Sequence, residues 1–161
     1  MEDFTVARDR GSLEDLPGCL VGSDHDLVPE WHSFGIFDVE GEDGFRDREE
    51  HVLDELTQEQ GVVVATGGGV VKRPINRQRL AERGVVIHLD CPMERLLART
   101  ARDKKRPLLA GSNREEIIAN LMRERAPLYR EIADYRFISS DQSAKQLATS
   151  IVAKLRADGV V

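Results

Sequence analysis

Three glycines at the end of a β-branched run are the first residues whose type and spacing suit ligand chemistry. The run is Val62-Val63-Val64-Ala65, and Thr66-Gly67-Gly68-Gly69 follows it directly. Glycines there let the backbone approach a ligand closely and offer it N–H donors. In open α/β sheets ligands bind beyond the carboxyl ends of the strands, which is where this turn would fall. Taken alone, the same run reads equally as a flexible turn. Two arginines come next, Arg46 in Gly44-Phe45-Arg46-Asp47 and Arg125 in Glu124-Arg125-Ala126-Pro127. A planar guanidinium is the preferred clamp for a carboxylate, although either residue alone also reads as a surface-helix arginine. The third feature is basic: between Arg99 and Arg106 stand five bases and one acid. Such a loop either closes over polyphosphate and excludes water or is simply a solvated loop.

The elements that must hold these residues alternate in type. The pattern predicts a helix over 43–60 with Phe45, Val52, Leu53 and Leu56 as its apolar stripe, stopped by Gly61. The β-branched run 62–65 has the character of a strand buried on both faces of a parallel sheet. A helix over 74–83 ends at Gly84, a strand runs from Val85 to Leu89, and Pro92 starts a helix carrying Leu96 and Leu97. Residues 102–114 have no apolar period and read as an exposed loop. Asn113 is placed to cap a helix whose core face is Ile117, Ile118, Leu121 and Met122. Tyr135 to Ile138 reads as a last strand, and Ala144, Leu147, Ile151, Val152 and Leu155 as a closing amphipathic helix. Strands alternating with helices argue for a layered α/β domain with a parallel sheet. Residues 1–35 lack this quality; only Cys19-Leu20-Val21 resembles a strand.

Composition narrows the function classes. With 161 residues, 32% charged and 40% hydrophobic, the chain suits one soluble globular domain. No apolar run is long enough to span a bilayer, and the acidic start Met1-Glu2-Asp3 is unlike a secretory signal. Two cysteines, Cys19 and Cys91, make neither a metal pattern nor a disulfide framework, so a reducing cytoplasm is expected. The net charge of -6 conceals an asymmetry: residues 1–60 hold 18 acids against 4 bases, and residues 61–161 hold 11 acids against 19 bases. The basic part suits a small phosphorylated or carboxylated ligand better than nucleic acid, since aromatics are only 5%.

Taken together, five segments resemble the shikimate kinase family in order and spacing: FDVEGEDGFRDREE, VVVATGGGVVK, RDKKRPLLAG, RERAPLYREIAD and SSDQSAKQLA. The resemblance covers roughly residues 36–158. It implies an α/β fold, a three-layer P-loop kinase of the nucleoside-monophosphate-kinase type with a short parallel sheet. It also implies a single domain over 1–161, with 1–35 divergent and a lid at about 102–114. The family transfers the γ-phosphoryl of ATP to the 3-hydroxyl of shikimate, with Mg²⁺, in aromatic amino-acid biosynthesis. By resemblance, Arg46 and Arg125 would grip the shikimate carboxylate, and Gly67, Gly68 and Gly69 would pack against the ring and its hydroxyls. Arg106 is the expected lid arginine, and Arg99 and Gln142 match positions near the nucleotide. Asp24, in Ser23-Asp24-His25-Asp26, matches the aspartate that holds the reacting hydroxyls. The implied partners are shikimate and ATP, with no nucleic acid, no membrane and a monomeric state.

The chain also departs from the family. A phosphate loop needs Gly-x-x-x-x-Gly-Lys-Ser/Thr, whose N–H groups cradle the phosphates, whose lysine reaches them and whose hydroxyl binds Mg²⁺. No lysine precedes Lys72, no glycine is followed by lysine, and Gly22 replaces the aspartate linked to the magnesium site. Counting back from Asp24 puts Met1 inside the phosphate loop, so the strand before it is expected to be absent. Thr5-Val6-Ala7-Arg8 reads as a trace of the first helix. Either a late start with local frame errors or divergence of one half accounts for the change of character near Ile36. The alternatives to an active kinase are a remnant that binds shikimate without phosphorylating it, and another small kinase such as a gluconate kinase. The paired arginines with three glycines, which suit a carboxylated ring, argue against the latter.

Overall fold

The computed structural model describes residues 4–8, 33–101, 113–139 and 142–161. Its elements are β1 (Phe4–Arg8), α1 (Ser33–Leu56), β2 (Val62–Thr66), a 3₁₀ turn (Val70–Lys72), α2 (Pro74–Arg83), β3 (Val85–Asp90), α3 (Met93–Ala101), α4 (Arg114–Ile132), β4 (Tyr135–Ile138) and α5 (Ala144–Ala157). Helix α1 is two helical pieces joined at Gly41, whose φ of 72° belongs to the left-handed region. The second piece is the helix read from sequence, and it ends at Leu56 because four turn residues lead to Gly61, also at positive φ. Helix α2 has Pro74 in its first turn and closes where the Gly84 N–H bonds the Leu80 carbonyl. Asn113 occupies the cap position of α4 but does not cap it, because its side-chain amide donates to Glu116 instead of accepting from the backbone. Helix α5 does carry a reciprocal capping box between Ser143 and Gln146.

The sheet order is β2-β1-β3-β4. Strands β2, β3 and β4 point the same way, so the expected short parallel sheet is present. Strand β1 lies between β2 and β3, antiparallel to both, with Val6 opposite Val64 and Val86. Residues 5–8 are therefore a strand and not the trace of a helix. The reason is tertiary: two facing strands with unpaired N–H and C=O groups between them must find partners, and this segment supplies both rows. No parallel strand leading into a phosphate loop occurs among the described residues.

Leu53 of α1, Val64, Val86, Leu80 of α2 and Tyr129 and Ile132 of α4 form the main core with Val70 and Val71. A second cluster, Cys91, Leu96 and Ile118, ties α3 to α4. Because β1 fills the sheet between β2 and β3, Val6→Pro should be severe. Proline removes a ladder N–H from a central strand, and the carbonyl left without its donor costs about 1–3 kcal/mol. Urea unfolding followed by circular dichroism should show a clear loss of midpoint; an unaltered midpoint would mean that β1 is not inserted.

Candidate active site

Strands β2, β3 and β4 end at one edge of the sheet, and there the chain leaves β2 through Gly67–Gly69. This turn is fixed. The Val70 N–H bonds the Gly67 carbonyl at 3.1 Å and the Lys72 N–H bonds the Gly69 carbonyl at 3.0 Å. Three side chains from α2 and α4 hold further carbonyls: Tyr129 donates to Gly68 at 2.6 Å, Asn76 to Val70 at 3.2 Å and Arg77 to Val71 at 2.7 Å. Gly68 and Gly69 are buried. A Cβ on Gly69 would fall 2.5 Å from two guanidinium nitrogens of Arg46, so any larger residue there would displace the tip of the Arg46 side chain.

Arg46 projects from the second piece of α1. Its Nη1 donates to Glu49 at 2.6 Å, while its buried Nε has no hydrogen-bond partner and lies 3.7 Å from the Glu42 carboxylate. Arg125, on α4, is only 9% exposed, and its Nε is likewise buried without a partner. No ion pair to Arg125 occurs among the described residues. A buried guanidinium that makes no close ion pair among the described residues is costly, and an anion received beside it would offset that cost. Proline inside α4, at 127, does not break the helix between Arg125 and Tyr129.

Glu42 reports on the same field. Lys72 Nζ donates to it at 2.8 Å. This hydrogen bond is the main force holding the Glu42 carboxyl below its ordinary 4.5; burial opposes it, and the charges of Lys72, Arg46 and Arg125 add to it. Because the folded value is lowered, the stabilisation is present above the unfolded value and is lost as pH falls through the folded one. Near neutrality Glu42 is an internal competitor for any carboxylate arriving between the arginines. Glu42→Gln should therefore tighten binding of a carboxylated ligand several-fold, about 0.5–1 kcal/mol, the scale of a solvent-screened ion pair. Titration of the variant at pH 7 checks this; weaker binding would mean that Glu42 orders the arginines rather than competing with them.

The structure thus brings Arg46, Arg125 and Gly67–Gly69 together. Arg99 and Gln142 lie elsewhere, each bonded to a residue at or just past the end of β4. Arg99 donates to Ser139 at 3.1 Å and Gln142 to the Ile138 carbonyl at 3.4 Å, and both are exposed. Asp24, Arg106 and nearly all of the lid reading at 102–114 lie outside the described residues; of that segment only Asn113 and Arg114, at the start of α4, are described. Lys72, Glu42 and Tyr129 were not singled out from sequence. Each stands inside a segment quoted above, but lysine, glutamate and tyrosine in helical surroundings give no signal until their partners are known.

The shikimate kinase family model matches residues 23–156. The chain is 59% identical over 120 residues to the shikimate kinase of Vibrio parahaemolyticus, covering 74% of this chain and 70% of the relative. The chain belongs to the shikimate kinase family. Among solved structures, that of shikimate kinase from Acinetobacter baumannii in complex with shikimate matches with a TM-score of 0.72 and 45% identity, covering 76% of this chain and 69% of that one. The Aquifex aeolicus shikimate kinase matches at 0.66 and 30%, covering 80% and 74%. Members of this family are phosphotransferases, so class, fold and substrate family are those read from the sequence. The match to the family begins at residue 23, and β1 therefore lies outside it.

No segment carrying a phosphate-loop motif occurs among the described residues. Because β1 is antiparallel, Phe4 lies opposite Thr66 and His88 at the glycine-turn edge, and Arg8 lies opposite Val62 at the far edge. Strand β1 therefore runs from the glycine-turn edge toward the far edge of the sheet. Among the described residues no cluster of three His, Cys, Asp or Glu is arranged to hold a metal ion such as Mg²⁺. No described helix is long and apolar enough to cross a membrane.

Proposed function

We propose that this domain is a shikimate-binding member of its family, with the carboxylate held between Arg46 and Arg125 and the ring lying on Gly67, Gly68 and Gly69. Asp24 would hold the reacting hydroxyls, while Arg99, Arg106 and Gln142 would face the nucleotide. The observation that supports the reading is Arg125, 9% exposed and in no close ion pair among the described residues, its charge acting together with that of Arg46 on the Glu42 carboxylate. The family reaction, transfer of the ATP γ-phosphoryl to the 3-hydroxyl with Mg²⁺, is the activity this acceptor site serves. A cytoplasmic monomer forming one domain over its 161 residues is the setting assumed.

A second reading is favoured by one observation, the direction of β1. With the sheet centre filled by an antiparallel strand and no Gly-Lys in the sequence, the chain as it stands binds shikimate and transfers little or no phosphate. Thermal melting tests the shared part of both readings. Shikimate at about 100 times its Kd should stabilise the fold by about 2.7 kcal/mol, raising the midpoint by roughly 5–10 °C for a domain this size. A midpoint indifferent to shikimate would contradict the acceptor site.

A further inference from the structure

The glycine turn is useful to a ligand only if its peptide groups face the right way, and one side chain sets that direction. Tyr129 stands one helical turn after Arg125 on α4, so both project from the same face. Its hydroxyl donates to the Gly68 carbonyl at 2.6 Å, its ring is 2% exposed, and the buried His88 ring packs against it at 5.0 Å and 31°. The peptide linking Gly68 to Gly69 is trans. In a trans peptide the C=O and the following N–H point in opposite directions. With the Gly68 carbonyl turned inward to Tyr129, the Gly69 N–H is turned outward, away from α4. Glycines on both sides of this peptide give it an unusually low barrier to flipping, and nothing in their side chains would resist it.

We propose that Tyr129 is a positioning residue: its hydroxyl locks the Gly68–Gly69 peptide so that the Gly69 N–H is presented to a hydroxyl oxygen on the substrate ring. This rests on the reading that the pocket binds shikimate. The role differs from that of the arginines, which hold the carboxylate whichever way this peptide faces. Tyr129 therefore governs recognition of the hydroxylated ring and not of the acid group.

Tyr129→Phe keeps the ring and its packing on His88 and removes the hydroxyl. Calorimetric titration of wild type and variant with shikimate, and with cyclohex-1-ene-1-carboxylate as a ring acid without hydroxyls, separates the roles. Wild type should prefer shikimate, and the variant should lose about tenfold in shikimate affinity while binding the plain acid unchanged. Equal losses for both ligands would reduce Tyr129 to a structural residue, and no loss for either would remove it from recognition. Wild type binding neither ligand would overturn the acceptor-site reading itself, and this inference with it. Amide NMR of the wild-type protein gives an answer that needs no variant. Shikimate should displace the Gly69 amide proton resonance strongly and the plain acid should not; displacement by both alike would contradict the proposal.

Discussion

A coupled assay of the unmodified chain with shikimate, ATP and Mg²⁺ is expected to show turnover at least about 10³-fold below that of a chimera carrying an intact phosphate loop, since losing even one preorganised donor to a developing charge costs 10²–10³. The chimera would replace the residues before a repaired Asp24 segment with a parallel strand followed by Gly-x-x-x-x-Gly-Lys-Ser. Phosphoryl transfer is almost wholly positioning and electrostatics, so a chain without the loop lacks most of what the reaction needs. The direction of β1 adds to this argument. The strand enters the sheet with Phe4 at the glycine-turn edge and leaves it with Arg8 at the other. Ordinary turnover from the 161 residues as written would mean that residues outside the described parts cradle phosphate in another way.

The second large effect concerns Arg125. Arg125→Met, similar in length but uncharged, should lower shikimate affinity by about 2–3 kcal/mol, the value of a charge-assisted bond to a carboxylate. Its effect on the unliganded fold should have the opposite sign or be near zero, because replacing a buried ion with an apolar side chain of like volume is often neutral or stabilising. A melting curve and a titration on the same sample give both numbers. Lower stability with unaltered affinity would make Arg125 structural. Arg46 gives a less clean test. It is bonded to Glu49 at 2.6 Å, and Glu49 is itself only 17% exposed, so deleting Arg46 also removes an ion pair from a largely buried acid.

How much of this was legible in the sequence follows from where the forces are local. Helix α2 was read with its observed bounds because Pro74 can begin a helix and Gly84 ends it in the chain's own chemistry. Strands β2 and β4 were read within a residue because short β-branched or aromatic runs have few other uses. The β1 segment was not legible. Its five residues sit in an acidic stretch without flanking pattern, and they become a strand only through partners 54 to 84 positions away. The one strand-like run noticed there, 19–21, lies outside the described residues.

The site divides the same way. Arg46, Arg125 and the glycines were found through motif order, and the structure gives the physical reason for their company: a turn locked from α2 and α4, with Arg46 packed where any side chain at position 69 would stand. Glu42 and Lys72 could not be found by type, since their importance lies in a 2.8 Å contact across 30 residues. The cap expected from Asn113 failed for a related reason, as a nearby glutamate competes for its amide.

The account stands most directly on whether Arg46 and Arg125 receive the substrate carboxylate. Calorimetric titration of shikimate into the unmodified chain, repeated with Arg125→Met, decides it. One molecule should bind per chain, and the variant should bind about 30- to 150-fold more weakly, the equivalent of the lost charge-assisted bond. Equal affinity for the two proteins, or no heat of binding in either, would contradict the paired-arginine pocket.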